Sequence, residues 1–289
     1  MRASYSLQLA LKKIISEINM NHDSKVIPSP VLYLSHGGGP LPLLNDQGHQ
    51  NLIDFCREVT PTLVRPTAIL VISAHWEADQ PTITSGAFPS LIYDYYGFPK
   101  ESYEIKYPAP GSPALANKIF NLLKQAGIEA KLDDQRGFDH GLFVPLKMMY
   151  PEANIPCVQL SLVNSLQPKE HIQMGRALAN LREENVLIIG SGFSFHNIKE
   201  FFAPSTNETR IMNESFERWL IDTCSSTEYL EDEREQRLIN WDKAPAGRYC
   251  HPREEHLLPL HVCYGVAGMA VKKVFEIEIM GKMASAYLW

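Results

Sequence analysis

The stretch that decides the fold is PTAILVISAHWE, residues 66–77. Six of the seven residues from Ala68 to Ala74 are apolar, and three of them are β-branched. Such a run is typical of a strand that is buried on both faces of a parallel or mixed sheet. His75 follows at the point where we expect this strand to end. Because ligands bind at the carboxyl ends of strands in open α/β sheets, His75 is a candidate site residue.

Two further apolar runs also lead into a histidine. Residues 31–35, VLYLS, precede His36 and three glycines, and residues 186–192, VLIIGSG, precede His196 by four positions. Packing of a core does not explain why three buried strands each deliver a histidine. The pattern therefore indicates a site at the carboxyl ends of the strands.

Length and composition exclude several classes of protein. The chain has 289 residues, enough for one large α/β domain, and 21% of them are charged. The net charge of -6 argues against a nucleic-acid partner. No apolar run approaches the roughly 20 residues that span a bilayer, so we expect no membrane partner. Five scattered cysteines and the lack of a signal-peptide pattern favour a cytoplasmic protein with reduced thiols.

Strand and helix patterns alternate along the chain. They predict a single α/β domain with a central mixed, largely parallel sheet and helices on both faces. We place this catalytic domain at residues 26–289 and interpret residues 1–25 as an N-terminal helical extension. Residues 168–183 and most of 211–240 are predicted to be helical. The aromatic stretch from Gly86 to Pro113 shows neither helical nor strand periodicity, and we interpret it as the wall or lid of a pocket.

Five histidines stand next to a turn, a glycine or the predicted end of an element: His36, His75, His140, His196 and His256. Neutral imidazoles are common metal ligands, and no CxxC or HExxH spacing is present. A metal would have to be held by distant segments, which favours a catalytic over a structural site. The HGGG motif at residues 36–39 echoes the oxyanion loop of lipases, but no GxSxG elbow accompanies it. Asp139 is interpreted as the cap of the helix that follows or as the group that orients its neighbour.

Six motifs occur in one order: LSHG (34–37), SAHW (73–76), YPAPGSP (107–113), GFDHG (137–141), the segment 191–197, and EHLLPL (255–260). This series resembles the 4,5-DOPA extradiol dioxygenase family, the DODA-type branch of the class III extradiol ring-cleaving dioxygenases. The resemblance extends from about residue 30 to the C-terminus.

The resemblance implies one divalent metal, Fe(II) for catalysis, with Zn(II) as the alternative in the isolated protein. It assigns the metal to His36, His75 and His256. His196 would lie beside the metal as an acid–base group or as a further ligand, and His140 would hydrogen-bond the substrate.

The third ligand position holds two candidate residues. The wider class III pattern uses two histidines and a glutamate, whereas the DODA-type branch points to His256. We therefore interpret Glu255 as a group that orients a ligand, and ligation by Glu255 stays open. Trp76 and Arg248 are candidate substrate-binding residues. Trp76 follows His75 and is interpreted as part of the pocket wall or as a packed side chain, and the Arg248 guanidinium suits a substrate carboxylate.

The implied reaction is the opening of a catechol-type, DOPA-like ring with O2 to a muconate semialdehyde-type product. The expected partners are a small catechol and O2, and the expected assembly is a monomer or a small homo-oligomer. Two other functions are open: a Memo-like binding protein without oxygenase chemistry, and a zinc-dependent hydrolase on the same fold. The Memo-like function is disfavoured because all the candidate ligands are present.

Overall fold

The computed structural model describes residues 28–289, so the predicted helical extension at 1–25 lies outside the described residues. Eight strands form one sheet in the order β4-β3-β5-β2-β6-β1-β8-β7. Their bounds are β1 Val31–Ser35, β2 Ala68–Ala78, β3 Thr82–Thr84, β4 Lys131–Asp133, β5 Cys157–Val163, β6 Val186–Gly192, β7 Lys273–Ile279 and β8 Lys282–Leu288.

The four central strands, β5, β2, β6 and β1, are all parallel to one another. Antiparallel pairing begins outside them, where β8 joins β1 and β7, and where β3 joins β5. The predicted mixed, largely parallel sheet is confirmed. Because β2, β6 and β1 are direct neighbours, their carboxyl ends lie side by side at one edge of the sheet.

Alternate residues of the central strands enter two separate hydrophobic cores. In β2, Ile69 and Val71 join one core and Leu70 and Ile72 join the other, and all four are fully buried. Burial on both faces explains why the run is apolar without alternation.

Helices cover both faces of the sheet, as predicted. Helices Gln50–Val59 and His140–Met149 pack on one core. The other core is covered by the helices Pro113–Gln125, Pro168–Ala177, Asn207–Ser225, Glu231–Ile239 and Leu258–Ala267. Two short helices, Ile198–Phe202 and Gly247–Cys250, follow β6 and precede the last motif. Within residues 28–289, none of the helices combines the length and the apolar character that crossing a membrane requires.

Three element boundaries differ from the prediction. β2 continues to Ala78, so His75 lies inside the strand. The pairing of β2 with β6 ends at Ser73, and the register of β2 with β5 shifts between Ile72 and Glu77. The helix predicted at 168–183 ends at Ala177 and is followed by a 3-10 turn. The helical segment predicted at 211–240 is divided into two helices. The aromatic stretch is irregular as expected, apart from a 3-10 turn at Lys100–Glu104.

Candidate metal centre

All five singled-out imidazoles converge at the carboxyl edge of the central strands. The rings of His36 and His75 have centroids 4.8 Å apart, with 3.0 Å between their Nε2 atoms. The His256 ring lies 5.3 Å from that of His36 and 4.9 Å from that of His75. The ring centroids of His140 and His75 are 3.8 Å apart, and His196 stacks on His256 with 3.3 Å between their ring centroids. The five histidines predicted from the sequence to belong to the site are therefore all brought together.

The neighbouring strands β1 and β6 orient His36. Its backbone N–H donates to the Gly192 carbonyl oxygen at 2.9 Å, which continues the β1–β6 ladder by one residue. Its Nδ1 lies 3.0 Å from the Ser191 hydroxyl. With Nδ1 engaged, Nε2 is the atom that faces His75.

Asp94, which lies in the aromatic stretch, orients His140 and approaches His75. Its Oδ1 accepts the His140 backbone N–H at 3.0 Å and lies 2.8 Å from Nδ1 of the same residue. Its Oδ2 is 3.7 Å from His75 Nδ1. Burial opposes ionisation of Asp94, but the hydrogen bond and charge of His140 outweigh it and hold the pKa of this carboxyl below its ordinary value.

The Asp139 side chain takes neither of the two roles predicted for it. Its side chain makes no capping bond, and its carboxylate instead accepts from the Ser73 hydroxyl at 2.8 Å, from Arg136 and from Gln159. Burial raises the pKa of this carboxyl. Asp139 occupies the N-cap position of the helix His140–Met149, but its side chain turns toward β2 and β5, so it neither caps the helix by a side-chain bond nor orients His140.

Glu255 links the remaining two imidazoles. Its Oε1 lies 3.0 Å from His256 Nδ1 and 3.1 Å from His196 Nδ1, and Oε2 is 3.3 Å from Arg253. Burial opposes ionisation of Glu255, but the His196 hydrogen bond and the Arg253 charge hold the pKa of this carboxyl below its ordinary value. A carboxylate in this position turns Nε2 of both rings away from itself.

The last motif is held against the end of β6 by its backbone. The carbonyl oxygen of His256 accepts from the Phe193 N–H at 3.0 Å and from the Tyr33 hydroxyl at 3.1 Å. A Cβ at Gly192 would lie only 2.1 Å from this carbonyl oxygen. Glycine at 192 is therefore what lets His256 approach the strand.

The protonation of the three candidate ligands suits a metal. Burial, followed by the neighbouring imidazoles, lowers the pKa of His36 and of His256 well below 6.5. Burial and His140 do the same for His75. All three are neutral at pH 7, the form in which imidazole binds metals.

The spacing of the His36 and His75 nitrogens also fits one ion. Two nitrogens that each lie about 2.1 Å from a metal are at most about 4.2 Å apart, and the Nε2 atoms of His36 and His75 satisfy this at 3.0 Å. Each of His36, His75 and His140 offers a nitrogen within 4.8 Å of the others, and a second such group is formed by His196, Glu255 and His256. Sets of imidazoles suit zinc, iron or copper better than Mg²⁺ or Ca²⁺.

A cavity of about 410 Å³ opens onto the five imidazoles. This volume is sufficient for a small aromatic ligand. Its wall is apolar and includes Leu41, Tyr95, Phe98, Phe193, Phe201 and Met280. Two of these residues belong to the stretch from Gly86 to Pro113, which confirms the prediction that this stretch walls a pocket.

Trp76 and Arg248 are not among the residues that line this cavity. Successive residues of a strand point to opposite sides, so Trp76 points away from the side of His75 and lies under the Arg136 guanidinium at 4.3 Å. Arg248 pairs with Glu254 at 2.7 Å. The structure does not bring these two predicted substrate-binding residues to the cavity.

The glycines at residues 37–39 line the cavity, but the N–H of the middle one is not available to an oxyanion. The Gly38 N–H donates to His49 Nε2 at 2.8 Å, and His49 Nδ1 lies 2.7 Å from Asp46. The Gly38 N–H is already used, so the HGGG motif does not support lipase-like chemistry, and the zinc-dependent hydrolase stays open.

Residues 29–288 match the family described as the catalytic LigB subunit of aromatic ring-opening dioxygenase. The chain belongs to the LigB family. Among its relatives, the dioxygenase tasH of Hapsidospora irregularis is 41% identical over 280 residues, with 90% of this chain and 85% of that protein covered. The 4,5-DOPA dioxygenase extradiol of Beta vulgaris is 40% identical, with 82% and 86% covered.

A solved structure of an uncharacterized protein from Escherichia coli K12 has the same LigB-type fold. It superposes with a TM-score of 0.70 at 32% identity and covers 90% of this chain and 99% of its own. The resemblance to extradiol dioxygenases that the six motifs suggested is confirmed. The family match and the dioxygenase homologues support an aromatic ring-opening dioxygenase.

Proposed function

We propose that the chain opens a catechol ring with O2 by extradiol cleavage, to give a muconate semialdehyde-type product. The observation that carries the proposal is the convergence of His36, His75 and His256 beside a cavity with aromatic walls. The printed names of the relatives, dioxygenase and 4,5-DOPA dioxygenase extradiol, support this class of reaction.

The proposed metal ligands are His36, His75 and His256, with Fe(II) as the catalytic ion and Zn(II) as the alternative in the isolated protein. When bound, such an ion would lower the pKa of a catechol hydroxyl and supply the redox chemistry for O2. The position of Glu255 supports its proposed orienting role, because its carboxylate oxygens already face two imidazoles and Arg253.

His196 is the proposed acid–base group. Its Nδ1 is directed at Glu255, so Nε2 is the atom that is left to take a proton from a catechol hydroxyl and return it as the ring opens. Arg253 holds Glu255 in place and is itself held by Glu77 in a two-bond ion pair of 2.5 and 2.6 Å. This chain of contacts fixes the imidazole before the substrate enters.

His140 is the proposed substrate-binding imidazole. Asp94 engages both its backbone N–H and its Nδ1, which leaves Nε2 for a substrate oxygen. Its nitrogen also lies near those of His36 and His75, so His140 competes with His256 for the role of third ligand.

Metal content of two single variants decides between these ligands. We expect His256→Ala to lose the metal, because only the imidazoles of His36 and His75 would remain to bind it. We expect His140→Ala to keep the metal and lose turnover. The opposite pair of results would assign His140 to the metal.

The reaction itself is tested by anaerobic loading with Fe(II), followed by a panel of catechols and measurement of O2 uptake. We expect O2 consumption together with a yellow ring-opened product. Catechol binding without O2 uptake in the loaded protein would instead support a binding protein, and turnover with zinc in the absence of O2 would support a hydrolase.

We also propose that residues 26–289 are the catalytic domain, which the family match over 29–288 supports. A cytoplasmic location is proposed because all five cysteines are free and buried.

A further inference from the structure

Three apolar side chains surround the mouth of the cavity and are exposed to solvent. Tyr96 is 91% exposed, Phe202 80% and Ile198 59%, and all three line the cavity. We call these three residues the rim. Tyr96 comes from the aromatic stretch, and the other two come from the short helix that follows His196. Exposed apolar groups that cluster at a binding site indicate what the site receives.

No lining residue within the described range, 28–289, is a lysine, arginine, aspartate or glutamate. The charged side chains that contact the imidazoles, and Arg253 beside them, are already paired. Asp94 and Glu255 hold imidazoles, and Arg253 pairs with Glu77. Arg248, the sequence candidate for binding a carboxylate, pairs with Glu254 outside the cavity.

A charged substituent that is covered by this lining would therefore lose water without gaining a partner of opposite charge among the described residues. Such desolvation is unfavourable, whereas an apolar substituent gains free energy by packing on the rim and the aromatic wall. The imidazoles that line the same cavity supply the polar contacts that a diol needs.

We infer that the substrate is a catechol with an uncharged, apolar substituent, and that Ile198 and Phe202 determine this specificity. The inference rests on the proposed ring-cleavage function and narrows its substrate class. It separates this chain from an enzyme for an amino-acid catechol such as L-DOPA, which carries both a carboxylate and an ammonium group.

The first test compares three catechols with the Fe(II)-loaded full chain: 4-propylcatechol, 3-(3,4-dihydroxyphenyl)propanoate and L-DOPA. The first two differ mainly by a carboxylate at the end of the chain. We expect kcat/KM for 4-propylcatechol to exceed that for either charged substrate by about tenfold or more. Equal or higher kcat/KM for a charged substrate overturns the inference and leaves the ring-cleavage function standing. If no catechol is cleaved, the proposed function itself fails.

The second test places a cation on the rim. Ile198→Arg should raise kcat/KM for the propanoate and lower it for 4-propylcatechol, shifting their ratio by about tenfold. Phe202→Lys, on the same short helix, should shift the ratio in the same direction. The matched control is Leu230→Arg, because Leu230 is 78% exposed and does not line the cavity. An unchanged ratio in both rim variants, with unfolding midpoints like that of the wild type, would rule out the rim as the specificity determinant.

Discussion

At the scale of single residues, Asp94 connects the aromatic stretch to the histidines through its contacts with His140 and His75. Asparagine at this position keeps the shape but loses the charge that Nδ1 of His140 faces at 2.8 Å. We expect Asp94→Asn to lower kcat by about 10- to 100-fold, as partners of site imidazoles usually do. The kcat is measured on Fe(II)-loaded protein, together with its metal content.

Asp54→Asn is the control for this change, because Asp54 bonds to Gln50 at the surface of a helix outside the cavity. If Asp94→Asn and Asp54→Asn both retain wild-type kcat, Asp94 does not position the site.

The role of His196 can be separated from metal binding. We expect His196→Ala to retain its metal, since His36, His75 and His256 are the proposed ligands. Turnover should fall by about 100-fold or more, because the proton acceptor is lost. Plasma emission analysis gives the metal content, and O2 uptake gives the rate. Loss of the metal in this variant would make His196 a ligand, and full activity would remove it from the mechanism.

At the scale of elements, the contact between the end of β6 and the last motif is close enough to test with one methyl group. A Cβ at Gly192 would lie 2.1 Å from the His256 carbonyl oxygen, so the loop has to move outward in Gly192→Ala. We expect a loss of about 1–3 kcal/mol in the free energy of unfolding, as is usual for overpacking, and weaker retention of the metal. Urea denaturation of the metal-free protein and metal titration measure the two effects.

Gly48→Ala serves as the control for the loss of a glycine. Its nearest neighbour would be a carboxylate oxygen of Asp46 at 3.0 Å, so a methyl group there requires a smaller displacement than at Gly192. Wild-type stability and metal affinity in Gly192→Ala would show that the loop adapts without cost.

The elements that sequence reasoning identified are those in which neighbouring residues obey one simple physical pattern. The central strands were recognisable because burial on both faces requires an uninterrupted apolar run, as in residues 68–72. The histidines at their ends followed from the polarity of parallel strands. No such pattern marks Asp94 or Ser191, because each meets its imidazole only through tertiary contacts.

Two errors have the same origin. Asp139 was predicted to orient its sequence neighbour His140 or to cap the helix, but its side chain bonds to Ser73 on β2 and Gln159 on β5. Trp76 was assigned to the site because it adjoins His75, although the two point to opposite sides of β2. Two residues that are adjacent in sequence lie on the same element. Whether their side chains share a contact depends on the direction of each side chain, which the sequence alone does not give.

At the scale of the whole molecule, buried ionisable groups make stability depend on pH in two opposing ways. Burial lowers the pKa of His251 to about 3 and that of His261 to about 4. Below pH 6.5 the unfolded chain binds protons at these residues that the folded chain does not, so the folded state loses stability as the pH falls. Burial raises the pKa of Glu217 to about 7. Between about pH 4.5 and 7 the folded chain keeps this proton while the unfolded chain releases it, which lowers stability as the pH rises.

The histidines outnumber Glu217, so we expect the metal-free protein to become less stable on acidification from about pH 6.5 to about pH 5. Glu217→Gln removes the opposing contribution, because glutamine does not ionise. The variant should therefore show a steeper increase of stability with pH across this window, by up to about 1.4 kcal/mol per pH unit.

The free energy of unfolding in urea, measured at several pH values, gives the slope, and Glu208→Gln at an exposed site of the same helix is the control. Since Ser285 donates to Glu217 at 2.5 Å, the absolute stability of the variant also changes, and the slope alone decides. An unchanged slope in Glu217→Gln would mean that this carboxyl is ionised in the folded protein throughout the window.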